Sequence, residues 1–400
     1  MGAGLPPRAA PWKSFPMQHT RLLLAAALAL AASAPAPAAD NTLDPKAALG
    51  KDIFFDKTLS EPAGQSCSSC HQAAHAFSDP RATPTSRGVD PSLFGPRNAP
   101  SLKYAAFTPR FQSNGLEGGY LGGLFRDGRA DTLEAQAKEP FLNPVEMANP
   151  DKATVVAKLA AAPYAAQFQA VFGAHVFDHP SVAYDSMASA IAAFERTRVF
   201  APFDSKYDAW QQGKATLTDA ETRGMAAFND PARGNCASCH LSVSPQHAGG
   251  LRPLFTDFGY DNAGVPRNPA NRFYGDPVQF NPDGRNYVDL GLEAIFFDPL
   301  SRGQFKAPTL RNIAITGPYM HNGYFKTLRG VVDFYNTRDA KPRCADDFTS
   351  EADAEAQGCW PVAEQPETIN DRDMGNLGMS EQDVDDIVSF LGTLTDGWKP

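Results

Sequence analysis

Cys67-Ser68-Ser69-Cys70-His71 and Cys236-Ala237-Ser238-Cys239-His240 are two copies of one pattern, C-x-x-C-H. This is the attachment signature of c-type haem. Two thiols three positions apart each form a thioether to one porphyrin, and the adjoining histidine reaches the iron. A pair of disulfides or a structural zinc site is the plainer alternative. Zinc wants a third and fourth Cys or His at finger-like spacing, and neither copy has one nearby. With six Cys and eight His in 400 residues, chance is a poor explanation for two copies.

The segments ahead of the two copies are alike. Gly50 leads through Phe54, Phe55 and Asp56 to the first, and Gly224 through Phe228 and Asp230 to the second. A short helix is expected before each attachment site. Further helices are predicted over 151–161, 181–197, 218–229 and 380–394, with a Thr-x-x-Glu capping box at Thr218 and Glu221. Ser380 is the expected N-cap of the last, with Val384, Ile387, Val388 and Leu391 on one face. Strand-like alternation is scarce. The expected fold is mainly α: two cytochrome-c-like haem domains with long loops, in a chain rich in Pro (34) and Gly (32). The N-terminal haem domain is expected over 40–205 and the C-terminal one over 206–400, with helix 380–394 able to pack back on the first.

Residues 1–39 read as an export signal. Arg21 opens an apolar run from Leu22 to Ala32, followed by Ala34, Ala36, Ala38 and Ala39. Met17 is the expected start. The run is too short for a membrane span, and no other segment approaches the needed length, so a periplasmic location is expected. Without Arg8, Lys13 and Arg21 the chain is more acidic than its formal −9. That balance argues against nucleic acid as a partner. Cys344 and Cys359 are expected to pair in an oxidising compartment, two free thiols being the alternative.

Two haems imply electron transfer, redox catalysis or both, according to whether one iron keeps an open site. Between the motifs lie Phe125-Arg126-Asp127-Gly128-Arg129 and Pro140-Phe141-Leu142-Asn143-Pro144-Val145-Glu146-Met147. After the second come Phe305-Lys306-Ala307-Pro308-Thr309-Leu310-Arg311-Asn312, Thr316-Gly317-Pro318-Tyr319-Met320-His321 and Val331-Val332-Asp333-Phe334-Tyr335. In these stretches the sequence resembles the bacterial di-haem cytochrome c peroxidase family, which includes MauG, over nearly all of the mature chain.

The resemblance implies that Glu146 is the distal acid and base at the His71 haem, with Gln136 and Pro140 shaping its pocket. From the residues alone, Glu146 reads first as an ordinary exposed glutamate, and a turn proline and a surface amide stay open for Pro140 and Gln136. The resemblance places the sixth ligand of the His240 haem at Tyr335, as in MauG-like members, with Met320 as the alternative. It also implies a calcium ion held by the Asn98 side chain and the Thr316 and Pro318 carbonyls.

Two departures stand out. Where classical members carry a blocking histidine, this chain has Arg87, and His75 lies too close to His71 to serve. Where the family has a tryptophan between the haems, this chain has Arg126. His175, His179, His247 and His321 read as structural or exposed. Three functions follow: a hydrogen peroxide reductase fed by a cytochrome c or cupredoxin, a MauG-like oxidant of a partner protein, and a plain di-haem electron carrier.

Overall fold

Each half is built on one crossing of two helices, and a glycine sets each crossing. The computed structural model describes residues 43–81, 83–113, 119–243 and 252–400. The expected export segment 1–39 and His247 lie outside them. The first half holds α1 (Pro45–Phe55), α2 (Cys67–Cys70), α3 (Leu133–Leu142), α4 (Lys152–Ala161), α5 (Ala165–Phe172) and α6 (Pro180–Glu195). The second holds α7 (Lys206–Gln211), α8 (Asp219–Asn229), α9 (Glu293–Phe296), α10 (Leu328–Thr337), α11 (Glu351–Gln357) and α12 (Glu381–Gly392).

Asp44 starts α1 by accepting from the Lys46 and Ala47 amides at 2.9 and 3.0 Å. α1 then crosses α6 at Gly50, where an added Cβ would stand 1.9 Å from the Ala190 carbonyl oxygen. α8 crosses α12 at Gly224, where a Cβ would stand 1.8 Å from the Asp386 carbonyl oxygen. Only glycine lets two backbones approach so closely. The likeness between Gly50 and Gly224 in the sequence is therefore a likeness of packing.

The helix faces fill in around these crossings. α6 buries Ala183, Tyr184, Met187, Ala188 and Ile191, the stripe of an amphipathic helix. That stripe meets Leu49, Ile53, Phe54, Phe141 and Leu159 in one core. A second core joins Phe228, Phe255, Val384, Ile387 and Phe390. Burying each of these large side chains stabilises by about 1.5–3 kcal/mol over leaving it exposed. A third cluster, with Phe325, Phe334 and Trp360, surrounds a disulfide between Cys344 and Cys359.

The expected helices are present, and three of them have side-chain caps, α6 starting after His179 without one. Asp151 accepts from the Thr154 amide at 2.7 Å, and Thr218–Glu221 and Ser380–Asp383 both close capping boxes. α12 packs on α8 and α10. It is the tail after α12 that reaches the first half: Asp396 accepts from the Tyr104 hydroxyl at 2.6 Å. A buried pair, Arg311 on Asp208 at 2.9 and 3.1 Å, ties α7 to the loop behind the second motif.

Strand structure is confined to two short antiparallel pairs. β1 (Gln112–Ser113) pairs with β2 (Tyr120–Leu121), and β3 (Tyr260–Asp261) with β4 (Phe305–Lys306). The second pair sets Tyr260 opposite Lys306 and so brings β4 beside the Cys239 loop. No helix among the described residues is long and apolar enough to cross a membrane.

Candidate active site

The two attachment histidines are held alike. His71 Nδ1 donates to the Phe77 carbonyl at 2.8 Å, and His240 Nδ1 to the Phe255 carbonyl at 3.0 Å. With the proton on Nδ1, Nε2 keeps its lone pair for a metal, and the carbonyl raises its basicity. Burial pushes both imidazoles down in pKa, toward the neutral, ligating form. The four motif cysteines are free, which removes the disulfide alternative. Among the described residues no group of three or more His, Cys, Asp or Glu is placed to hold a metal ion by itself. A large cleft beside the second motif, walled by Cys236, Cys239, His240, Met320, Tyr335 and Leu377, suits a porphyrin.

The clamps on the histidines reveal a second internal repeat that the sequence reading passed over. Phe77 and Phe255 sit at φ 56° and 55°, a left-handed conformation that side chains seldom adopt. Each carbonyl also accepts from a leucine amide, Leu102 at 3.2 Å and Leu310 at 3.3 Å. Ser101 Oγ holds the Ala76 carbonyl at 2.5 Å, and Thr309 Oγ1 holds the Leu254 carbonyl at 2.6 Å. The partners come from Ala99-Pro100-Ser101-Leu102 and Ala307-Pro308-Thr309-Leu310. Each Ala-Pro-Ser/Thr-Leu run forces the carbonyl that aims the imidazole, and the signal was legible as a repeated tetrapeptide.

Glu146 is set on the first site by the end of α3. Pro140 has no amide to bond the Gln136 carbonyl four residues earlier, which weakens the helix there. Asn143 then ends it. Its carbonyl accepts from the Glu146 and Ala148 amides at 3.0 and 2.9 Å, and its Oδ1 from the Val145 amide at 3.1 Å. Asn143 Nδ2 donates to Glu146 Oε1 at 3.1 Å. Burial pushes the Glu146 carboxyl up to about 7; Arg129 and Asn143 oppose the rise. Its charge in turn helps to raise the Cys67 and Cys70 thiols, so it faces the first motif. Gln136 and Pro140 are one turn apart on α3, and Gln136 makes no side-chain hydrogen bond among the described residues. Sequence reasoning named Glu146, Gln136 and Pro140 but not Asn143, which tunes and orients the acid. It also missed Glu195, a buried carboxyl pushed up to about 8 by burial, whose Oε2 has no partner among the described residues.

The second site is walled differently. α10, capped by Thr327 on the Gly330 amide at 2.9 Å, turns Tyr335 into the cleft. Its hydroxyl stands 4.0 Å from Met320 Sδ, so both candidate ligands share one wall. Burial pushes the Tyr335 phenol up in pKa.

Asn98, Thr316 and Pro318 also come together along this cleft. Arg126 joins them. Its Nε donates to the Asn98 carbonyl at 2.9 Å and its Nη2 to Asn98 Oδ1 at 2.8 Å. Nearby, Arg97 pairs with Asp127 at 2.6 Å and Asp289 at 2.7 Å. Lys306 donates to the Gly123 carbonyl and, at 3.0 Å, to that of Phe125. Burial pushes Lys306 down to about 7 and Arg126 down to about 10. His321 stacks on Phe305 at 3.9 Å and meets Glu364 at 3.1 Å, the structural role expected of it. His75 sits on the loop after the first motif, its carbonyl accepting from Ser78 at 2.7 and 3.0 Å. His175 is exposed beside Asp178.

Residues 44–216 match the model of the di-haem cytochrome c peroxidase family. The methylamine utilization protein MauG of Paracoccus denitrificans is 41% identical over 361 residues, 88% of this chain and 89% of that protein. Cytochrome-c peroxidase IdrP1 of Denitromonas iodatirespirans is 33% identical over 313 residues, 74% of each. The crystal structure of the diheme peroxidase BthA from Burkholderia thailandensis E264 is similar with a TM-score of 0.74 at 36% identity, covering 89% of this chain and 87% of that one. A match to 88% of the chain can leave out neither haem motif. Relatives of both kinds thus share most of this frame, and the chain belongs to the di-haem cytochrome c peroxidase family, carries two c-type haems and is an oxidoreductase acting on peroxide.

Proposed function

We propose that the chain reduces hydrogen peroxide to water at the His71 site, with electrons entering at the His240 site from a cytochrome c or a small copper protein. The observation that carries this reading is Glu146: a buried carboxyl raised to about 7, held by Asn143 and facing Cys67 and Cys70. The bound haems supply the redox chemistry. Glu146 supplies the proton movement. Its carboxylate takes a proton from the near oxygen of peroxide and returns it to the departing oxygen, which leaves as water. The O–O bond breaks, the donor loses two electrons, and solvent protons complete the second water. A pKa close to ambient pH populates both forms that this shuttle needs. Gln136, with its amide free on the same face of α3 as Pro140, holds the peroxide oxygen within reach of Glu146.

Tyr335 would be the residue of α10 that ligates the iron of the His240 haem, with Met320 Sδ 4.0 Å from its hydroxyl on the same wall. A phenolate stabilises ferric iron more than a neutral thioether does, so this haem is hard to reduce. The location is the periplasm. Thioether haem is attached outside the cytoplasm, and the Cys344–Cys359 disulfide suits that compartment.

A second reading, oxidation of residues on a partner protein, is favoured by Tyr335 and by the segment 76–174, which contains no histidine to block the first iron. Arg126 in place of an oxidisable indole favours the first reading. One mixture separates them: as-isolated diferric protein, peroxide and reduced cytochrome c. Sustained cytochrome oxidation supports the peroxidase. Fast haem spectral change without cytochrome turnover supports the protein oxidant, and no haem response refutes both.

A further inference from the structure

One of the three oxygen atoms that the family resemblance assigns to calcium, Asn98 Oδ1, already holds a cation. Arg126 is half-buried, and among the described residues its guanidinium donates only to Asn98, through the backbone carbonyl and Oδ1 at 2.9 and 2.8 Å. The side-chain oxygen that would ligate calcium is therefore taken. Its companions, the Thr316 and Pro318 carbonyls, are neutral. Calcium sites take six to eight oxygens, carboxylates prominent among them, and none of these three is a carboxylate.

The acids nearby are also already paired with cations. Arg97, Arg126 and Lys306 stand half-buried on the positive side, with Arg129 meeting Asp127 at 3.0 Å. Asp127, Asp289 and Glu364 are buried on the other, joined through Arg97 and through His321. A divalent ion added beside the guanidinium would stand next to a like charge, which is costly away from bulk water. The position matters because this junction links the two sites. Asn98 stands two residues before Pro100, whose carbonyl acts on His71, and Lys306 two before Pro308, whose carbonyl acts on His240.

We propose that the Arg126 guanidinium replaces the inter-haem calcium, so that this chain closes the junction between its haem sites with a side chain and binds no metal ion there. The residues do not fit the ion that Asn98, Thr316 and Pro318 suggest when read without Arg126.

The test is metal content of the holoprotein, read without peroxide, so its outcome is independent of the proposed activity. Purified wild type is expected to hold substoichiometric calcium. A strong chelator should leave both haem spectra unchanged, and added calcium should give no saturable change. A stoichiometric calcium whose removal shifts the haem absorbance overturns the inference. Arg126→Gln frees Asn98 Oδ1 and removes the charge; it should gain a stoichiometric calcium that a chelator strips with a spectral change. Arg126→Lys keeps the charge and should stay calcium-free. If Arg126→Gln takes up none, the guanidinium is not what excludes the ion and the inference fails. If that variant does not load haem, the wild-type measurement alone decides.

Discussion

Glu146→Gln isolates the proton shuttle from everything else at the first site. The amide has nearly the size of the carboxyl, and its oxygen can still accept from Asn143 Nδ2, now 3.1 Å away. What is lost is a group that can take a proton. Positioned general acid–base catalysis is worth about 10²–10⁴ in rate, or about 3–5 kcal/mol of barrier. The wild-type pH profile follows from the same residue. Burial raises the carboxyl to about 7, with Arg129 and Asn143 pulling down and Glu139 pushing up. Only the carboxylate accepts the first proton. The rate of reaction with peroxide should therefore be flat above neutrality and fall about tenfold per unit below it, to about a hundredth at pH 5. Stopped-flow absorbance of the haems, with peroxide in excess and pH varied, measures both. The variant should be slow and nearly flat across the same range. A variant with the wild-type rate and profile would refute the assignment, as would a wild-type rate that rises on acidification.

Three further outcomes are expected. Asn143→Ala removes a hydrogen bond to the charged form of Glu146, worth about 1.5–3 kcal/mol, so the midpoint of the pH profile should move up by about 1–2 units; a downward move would contradict the role given to Asn143. Gly224→Ala places a methyl 1.8 Å from the Asp386 carbonyl oxygen and must part α8 from α12; a loss of about 1–3 kcal/mol or more is expected in thermal unfolding of the holoprotein, whereas Gly213→Ala, with open space around it but φ 70°, should cost only its backbone strain. Tyr335→Phe should change the low-spin absorption and EPR spectrum of the His240 haem, while Met320→Leu leaves it; the reverse pattern would reassign the ligand.

Some of this architecture was legible because short-range chemistry states it outright. The C-x-x-C-H copies, the capping boxes at Thr218 and Ser380 and the Gly50/Gly224 likeness are local patterns, and each reappears as a local structure. The site residues were legible only with the family in view, since a lone glutamate in an Asn-Pro loop does not announce its burial. Asn143 escaped because its role depends on a turn that no periodicity describes. The Ala-Pro-Ser/Thr-Leu repeat escaped because its partners lie over twenty residues away, at Ala76 and Leu254. Arg126 was legible as a departure but not as a ligand of Asn98. The sequence places them 28 apart, and only packing brings the guanidinium to the amide oxygen.

The two halves share their crossing, their attachment turn and their histidine clamp, so the difference in chemistry must arise from what covers each site. Over the first, α3 is weakened at Pro140 and ended by Asn143, and Glu146 rides on a turn in which the Val145, Glu146 and Ala148 amides are spent on Asn143. A carboxyl in such a turn is short, buried and tuned by one amide neighbour. Over the second, α10 is unbroken and well capped, and it carries a long aromatic side chain into the cleft at Tyr335. A helix delivers a ring at fixed height and fills the space that a substrate would need. Exchanging the side chains alone should therefore not exchange the functions: a glutamate on α10 would sit too far back to serve peroxide, and a tyrosine at 146 would lack the helix that aims it. The division of labour lies in the choice of turn against helix, and Pro140 with Asn143 is where the sequence makes that choice.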